Sequence, residues 1–324
     1  MTILRTMRNF SSMNITASIL LFLAAISAAI IANSSVAPVY QEFLSHELHL
    51  QIGNFNLLSH GGENLRMIEF INDGLMTIFF LMVGLEIKRE LLVGELSSFR
   101  KAALPFIAAC GGMVVPVVIY SMVCAPGTEG GQGLAIPMAT DIAFSLGVLS
   151  LLGKRVPLSL KIFLTAFAVV DDIGGILVIA IFYSSHVAYE YLLWAALLYV
   201  LLYFIGKKGA TNKIFFLVVG VVIWYLFLQS GIHSTISGVI LAFVIPAKPQ
   251  LNVGTYIERI RRIISTFPEM GANNIVLTNQ QIAKLKEVES ASDRVISPLQ
   301  SLEDNLHGAV NYLVLPLFAF VNAG

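Results

Sequence analysis

The chain has 324 residues, with 20 basic and 20 acidic side chains and a mean hydropathy of +0.80. Hydrophobic residues make up 56% of it and charged residues only 12%, against about 25% charged in a soluble domain. This composition excludes a soluble globular enzyme. The long, continuous apolar runs indicate a polytopic membrane protein whose spans are helices.

Eight apolar runs are predicted to be full transmembrane spans. They are residues 16–34, 71–87, 102–124, 133–153, 158–184, 187–206, 214–229 and 232–247. The first run is longer than the apolar core of a signal peptide, so we expect a retained helix. A ninth span starts near Val310, and Gly324 falls inside it, because a span needs about 20 residues.

The basic residues are distributed unevenly around these spans. With the N-terminus inside the cell, every Lys and Arg except Arg66 lies in an inner loop or at its margin. The positive-inside rule therefore predicts a cytoplasmic N-terminus and supports the number of spans.

The longest outer loop, residues 38–60, contains the alternating stretch HLQIGNFNLL with Gly53-Asn54 at its centre. This pattern is typical of a β-hairpin, although an irregular loop is the alternative.

Residues 249–304 form a polar insertion on the inner side. Thr278 and Gln281 have the spacing of a capping box and predict a short amphipathic helix. The segment around Ile257, Ile260 and Ile264 also carries arginines, so it either lies on the anionic inner leaflet or is a solvated linker.

Two adjacent acids, Asp171 and Asp172, lie at the midpoint of LSLKIFLTAFAVVDDIGGILVIAIFYS, residues 158–184. A carboxylate at that depth costs about 2.5–3.5 kcal/mol on insertion scales, so it is rarely structural filler. Burial and like-charge repulsion both raise a carboxyl pKa, and such a pair can exchange protons for a cation. The alternative is a neutral, hydrogen-bonded pair. Gly174 and Gly175 permit the close approach of another helix.

A third acid, Asp141, lies in the segment AIPMATDIAFSLGVL beside Thr140. Pro137 removes a backbone donor there, which predicts a broken helix. Free carbonyls and helix ends beside a carboxylate form a cation site. The alternative is a simple proline kink with a buried, protonated Asp141.

Weaker signals lie near the ends of the spans. Asp73 follows Asn72 and is predicted to cap the second span. A cluster at the inner end of that span is either a solvated surface or a titrating network; it comprises Glu86, Lys88, Arg89 and Glu90. His233, a lone histidine at the start of the eighth span, is more often a hydrogen-bonded core residue than a sensor.

Four segments resemble the NhaA family of sodium/proton antiporters. They are INDGLMTIFFLMVGLEIKREL, AIPMATDIAFSLGVLSLLGKRVPLSLKIFLTAFAVVDDIGG, SGIHSTISGVILAFVIP and LVLPLFAFVNAG. TDIAF together with AVVDDIGG at this spacing is a highly specific pattern. The resemblance implies a helical antiporter bundle with a discontinuous helix, and exchange of Na⁺ or Li⁺ for protons across the bacterial inner membrane.

The resemblance also implies roles for individual residues. Asp172 is the expected main cation ligand and Asp171 its partner acid, and Thr140 and Asp141 belong to the broken-helix assembly. The expected pH-responding network comprises Glu86, Arg89, Glu90, Glu303 and His233. Residues 38–60 fall where the family has a dimerising hairpin. No cofactor and no nucleic-acid partner are expected; the ions and the lipid bilayer are the partners.

Two departures from the family leave alternatives open. The insertion is longer than expected, and the sequence stops within the ninth span, where the family continues with three further helices. Only half of the inverted repeat is therefore expected, and the chain is either a piece of an antiporter or a non-transporting remnant or partner subunit. An intramembrane Mg²⁺-dependent enzyme is a further alternative. Such enzymes need paired acids three or four residues apart, as in DDxxD, and DDIGG lacks the closing Asp.

Overall fold

A computed structural model of the chain describes residues 2–52, 55–56, 58–60, 63–124, 133, 136, 156–182, 187–267 and 276–324. Within these residues the chain is a bundle of helices with two very small strand pairs on one loop. The predicted all-α class is therefore confirmed. The predicted broken helix with Pro137, Thr140 and Asp141 lies outside the described residues.

The described helices are numbered in chain order. They are α1 (Thr2–Ala32), α2 (Ala37–Ser45), α3 (Met67–Val93), α4 (Phe99–Val123), α5 (Leu158–Phe182), α6 (Tyr189–Lys207), α7 (Lys213–Ser230), α8 (Thr235–Val244), α9 (Val253–Ser265), α10 (Asn279–Val295), α11 (Pro298–Ala309) and α12 (Leu315–Asn322). A π-helical segment, Phe70–Leu75, lies inside α3, and another, Val310–Val314, joins α11 to α12.

Several of these helices have the length and apolarity of membrane spans. Among the described residues, α3, Ala102–Val123 of α4, α6 and α7 meet both conditions, and Thr16–Ala32 with α2 does so as a pair bent by 114°. Helix α5 has 25 residues, which corresponds to about 37 Å, enough to cross a bilayer. Large apolar side chains such as Ile107, Leu193 and Val218 are exposed on these helices, as expected of a lipid-facing surface.

The eighth span was predicted too long. Helix α8 covers only Thr235–Val244, 10 residues, which is about 15 Å and half of a typical hydrocarbon core. Gly231 ends α7 in the left-handed region at φ 78°, and Pro246 follows α8 directly. Glycine and proline therefore confine the helix more tightly than its apolar run suggests.

The capping role predicted for Asp73 is wrong. Helix α3 begins at Met67, where the Glu69 carboxylate accepts hydrogen bonds from the Arg66 backbone N–H and from Arg66 Nε, both at 2.9 Å. Asp73 instead lies in the π-helical segment inside the helix. Because Arg66 and Glu69 satisfy the helix start, the second span begins four residues before the predicted one.

The helix that leads into the ninth span also starts earlier than predicted. Ser297 caps α11, and its hydroxyl accepts from the Gln300 backbone N–H at 3.2 Å. Residues 298–304, assigned above to the polar insertion, are therefore the first turns of this helix.

The outer loop contains the predicted hairpin. Strands β1 (Gln51–Ile52) and β2 (Phe55–Asn56) pair antiparallel on either side of positions 53–54, which lie outside the described residues. A second pair follows at once, β3 (Ser59–His60) with β4 (Glu63–Asn64).

The main hydrophobic core is shared by α3, α6, α7, α8 and α11. Its fully buried members include Leu85, Leu202, Phe216, Ile245 and Leu299. Helix α8 packs along α3 at two glycines. A Cβ on Gly84 would lie 2.8 Å from the Ala242 Cβ, and one on Gly238 would meet the Thr77 carbonyl oxygen. The two backbones are thus in direct contact.

The insertion is a helical hairpin of α9 and α10. The predicted capping box is confirmed: the Gln281 N–H donates to the Thr278 hydroxyl at 3.3 Å, and the Gln281 side chain accepts from the Thr278 N–H at 2.9 Å. At its base, the Leu251 N–H donates to the Arg294 carbonyl at 2.9 Å. The ends of the insertion therefore leave the membrane helices side by side.

Candidate functional site

Asp171 and Asp172 lie near the midpoint of α5. Asp171 is the fourteenth of its 25 residues, so about 20 Å of helix precedes it and about 16 Å follows. Its residue is 5% exposed, whereas Asp172 is partly exposed. The two side chains therefore face different environments, as expected for neighbours about 100° apart on a helix.

Neighbouring helices pack against α5 on more than one face. Val169, which lies about 200° around the helix from Asp171, is buried in a small apolar cluster with Val83 and Ile87 of α3. On the α4 side, a Cβ on Gly174 would collide with the Met113 side chain, so α4 and α5 approach closely there, as predicted. These contacts fix the position of the helix that carries Asp171.

The structure brings four of the five predicted network residues together at the C-terminal end of α3. Arg89 Nε lies 3.0 Å from Glu303 Oε1 of α11, and Arg89 Nη2 lies 3.4 Å from Glu90 Oε1 and 4.0 Å from Glu86 Oε1. Glu86, Arg89 and Glu90 have the i, i+3, i+4 spacing that places them on one helix face. One guanidinium therefore links α3 to α11 and lies within 4.0 Å of three carboxylates.

The electrostatics of this cluster are set by burial. The side chains of Glu90 and Glu303 are only 12% and 13% exposed, against 35% for Arg89. Glu303 lies in α11, ahead of the apolar segment that starts at Val310. Burial raises the pKa of Glu303, and the Arg89 guanidinium opposes that rise. With all three acids ionised, the cluster carries a net charge of −2.

His233 is not part of this cluster. It lies at the other end of α3, where its Nδ1 is 4.0 Å from Asp73 Oδ1. Sixteen residues separate Asp73 from Arg89 on α3, a rise of about 24 Å. The expected five-residue network is therefore two groups, because one helix carries its members at opposite ends.

The group around His233 is built on the π-helical segment of α3. The Asp73 carbonyl accepts hydrogen bonds from Trp224 Nε1 at 2.9 Å and from the Ser234 hydroxyl at 3.2 Å, and the Asp73 carboxylate accepts from that hydroxyl at 3.2 Å. No sequence pattern marked Trp224 or Ser234 as partners of Asp73, since Trp224 lies on α7 and Ser234 directly precedes α8.

Lys88 has a structural contact that the sequence analysis missed. Its Nζ donates to the carbonyls of Ala242 at 3.3 Å, of Phe243 at 2.7 Å and of Ile245, at the C-terminal end of α8. A cation there satisfies carbonyls that lack helical partners and complements the helix dipole. Helical periodicity could have separated Lys88 from the cluster, because it lies 200° from both Glu86 and Glu90.

The comparisons with known proteins agree on one family. The family model described as Na⁺/H⁺ antiporter 1 matches residues 8–324. The chain is 95% identical to the Na⁺/H⁺ antiporter NhaA of Bacteroides fragilis, and 87% identical to that of Bacteroides thetaiotaomicron. In both cases all of this chain and 74% of the relative are covered.

A more distant relative gives the same result. The Na⁺/H⁺ antiporter NhaA of Phocaeicola vulgatus is 59% identical over 311 residues, which cover 96% of this chain and 70% of that protein. These matches describe transporters and not enzymes, which argues against the Mg²⁺-dependent enzyme considered above. The apolar helices and the family match agree that this is a multi-pass membrane protein. The chain therefore belongs to the Na⁺/H⁺ antiporter 1 family.

Proposed function

We propose that the protein exchanges Na⁺ or Li⁺ for protons across the bacterial inner membrane, with Asp171 and Asp172 as the shared ion site. The observation that carries the proposal is the burial of Asp171 halfway along α5, in a chain of this family. Carboxylates at that depth are costly and rare, and those that occur mark ion or proton pathways.

The chemistry is competition for carboxylate oxygens. In the protonated state the pair is neutral and tolerates burial; loss of protons creates negative charge that a small cation neutralises. Asp172 is the partly exposed member, so we assign it the metal contact and Asp171 the role of partner acid. Either ion can then be carried, but not both at once. Two acids permit two protons per cation.

Thr140 and Asp141 are proposed to complete the site from the broken helix. Their support is the sequence pattern and the family resemblance, since both lie outside the described residues. Na⁺, Li⁺ and H⁺ are substrates in this scheme, and no cofactor takes part.

The Arg89 cluster is proposed as the pH-responding element at the cytoplasmic face. It joins α3 to α11 through Glu303, so a change in its charge acts on two helices at once. His233 is proposed to respond separately, beside Asp73 on the opposite side of the membrane.

Orientation and assembly are also proposals. The distribution of Lys and Arg supports a cytoplasmic N-terminus in the inner membrane. The two strand pairs of residues 51–64 lie on the outer loop and offer edges that a second copy could pair with. We therefore propose a homodimer formed through residues 38–60.

Everted membrane vesicles containing the protein test the exchange directly. After respiration has built a proton gradient, added Na⁺ should dissipate it in wild type. Asp172→Asn should abolish the response, and Asp172→Glu should retain a weak one, because the charge remains but its position shifts. Asp293→Asn, an exposed acid of α10, is the matched control and should behave as wild type. A full response of Asp172→Asn at low and saturating Na⁺ would refute the assignment.

A further inference from the structure

We infer that α9 is an interfacial helix that lies on the inner leaflet, with an apolar stripe among the lipids and Arg261, at the edge of that stripe, at the anionic headgroups. The inference concerns the insertion and is independent of ion exchange. It rests on three features of the described residues: how α9 packs, what it leaves uncovered, and where it starts.

One face of α9 is covered by α10. The Tyr256 hydroxyl lies 3.0 Å from the Ser292 hydroxyl, and Arg259 pairs with Glu287 at 3.6 Å. Ile263 on the same face is only 2% exposed. The hairpin partner of α9 is thus identified, and it occupies one side only.

A second apolar face of α9 is left uncovered within the described part of the chain. Val253, Ile257 and Ile264 are 63%, 50% and 67% exposed. They lie four and seven residues apart, so they form one stripe along the helix, with Ile260 between them. Thr255 lies on the opposite side and is also exposed. An apolar stripe on a surface helix requires something apolar to cover it.

The charges beside the stripe favour a lipid surface as that cover. Arg261 borders the stripe, about 40° around the helix from Ile257, whereas Arg262 lies on the opposite side with Thr255. Both are exposed and form no ion pair with any described residue, and Arg259 is paired with Glu287. An apolar stripe with an unpaired arginine at its edge is typical of helices that lie in the membrane interface, where anionic lipids attract the arginine.

The position of α9 brings the start of the helix to the level of the membrane surface. The helix begins nine residues after α8, a member of the membrane core, has ended. Between them, the Pro246 carbonyl accepts from the Leu299 N–H at 3.2 Å, and the Gln250 side chain donates to the Thr211 hydroxyl. These bonds hold the base of the insertion against the cytoplasmic ends of the membrane helices. Helix α9, about 20 Å long, starts from that surface.

The experiment measures the depth of α9 in the whole protein. The two free thiols, Cys110 and Cys124, are first replaced by alanine. A nitroxide is then attached at Ile257→Cys or, as the matched control on the opposite face, at Thr255→Cys. The protein is reconstituted in nanodiscs of phosphatidylcholine alone or with phosphatidylglycerol. Collision rates with O₂ and with a water-soluble nickel chelate report whether each label is in lipid or in water.

We expect the O₂-to-nickel collision ratio at position 257 to exceed that at 255 severalfold in the discs with phosphatidylglycerol. Replacing Arg261 by glutamine should lower that ratio toward the value in phosphatidylcholine, and replacing Arg262, on the opposite face, should lower it less. Equal ratios at 257 and 255 in both lipids would mean a solvated linker. Shielding of position 257 from both reagents would mean that a protein surface covers the stripe. Either result overturns the inference.

Discussion

At the scale of single residues, Arg89 holds together acids from two helices. Its guanidinium is within 4.0 Å of Glu86, Glu90 and Glu303, and only Glu303 comes from α11. Because one positive charge cannot neutralise three negative ones, ionisation of the last acid adds repulsion between α3 and α11. This is the physical basis on which we propose that the cluster responds to pH.

Glu303→Gln should move the pH dependence of exchange upward. Burial raises the pKa of Glu303, so this acid ionises at a higher pH than an ordinary carboxyl, and glutamine imitates the protonated form at every pH. We expect the pH of half-maximal exchange in everted vesicles to rise, because glutamine withholds the negative charge that the cluster gains when Glu303 ionises.

The neighbouring acid provides a control of opposite sign. The negative charge of Asp304 raises the pKa of Glu303, so Asp304→Asn should lower the half-maximal pH slightly. Shifts in the same direction for both variants would show that general surface charge, and not the Arg89 contact, governs the profile.

At the scale of elements, α3 and α8 form one unit. Their backbones touch at Gly84 and Gly238, and Lys88 of α3 binds the terminal carbonyls of α8. The short α8 thereby gains both a packing partner and a C-terminal cap.

Gly238→Ala should destabilise this unit. The added methyl group meets the Thr77 carbonyl oxygen and lies 3.1 Å from the Leu81 nitrogen, and backbone atoms cannot move aside cheaply. Overpacking of this kind costs about 1–3 kcal/mol. The temperature at which detergent-solubilised protein loses monodispersity should fall by several degrees. Gly111→Ala on α4, where no described atom lies within 4 Å, should leave it unchanged; an equal fall in both would contradict the packing argument.

Lys88→Met should weaken the same unit by a different route. It removes hydrogen bonds from an ammonium group to the Ala242, Phe243 and Ile245 carbonyls at a helix end, worth about 1–2 kcal/mol. The same thermal measurement should show a fall of a few degrees. Lys286→Met, on the exposed side of α10, serves as the control. If both lysine variants melt alike, Lys88 does not cap α8.

The sequence predicted the long helices well and their interruptions poorly. Helices α5, α6 and α7 agree with their predicted spans within two residues at each end. An apolar run of about 20 residues that enters a bilayer forms a membrane-spanning helix, so its limits can be read from hydropathy. The bend between α1 and α2, the length of α8 and the early start of α3 depend on glycines, prolines and caps whose effect is set by tertiary contacts. Hydropathy does not register those contacts.

The candidate site shows the same division. Periodicity alone places Glu86, Arg89 and Glu90 on one face, but the pairing with Glu303, 214 residues away, needs the fold. The family resemblance grouped His233 with them. In the structure His233 lies beside Asp73, at the opposite end of α3 from Arg89. The positions of Asp171 and Asp172 follow from the apolar run; their ionic roles remain predictions.

At the scale of the whole molecule, the insertion is a separate layer on the membrane bundle. Helix α9 packs on α10. The two ends of the insertion are held together by the Leu251–Arg294 and Pro246–Leu299 hydrogen bonds. The chain that enters the insertion and the chain that leaves it are therefore joined at its base, without help from the rest of the hairpin.

Deleting residues 252–296 and joining the ends with a short Gly/Ser linker should preserve exchange. The linker is short because Leu251 and Arg294 are already hydrogen-bonded neighbours. Membrane abundance and Na⁺-dependent gradient collapse should both match wild type within about twofold, a difference below about 0.4 kcal/mol. Normal abundance with lost exchange would show that the hairpin is part of the transport machinery.

Competition of Na⁺ and protons for the Asp171–Asp172 pair is tested most directly by proton release. Purified protein in a weakly buffered detergent solution near neutral pH is mixed with NaCl, and the pH is followed. We expect Na⁺ to displace protons and acidify the solution, KCl to leave the pH unchanged, and Asp172→Asn to lose the release. Saturable Na⁺ binding without proton release, or the same release from Asp172→Asn, would mean that the two ions do not compete at this pair.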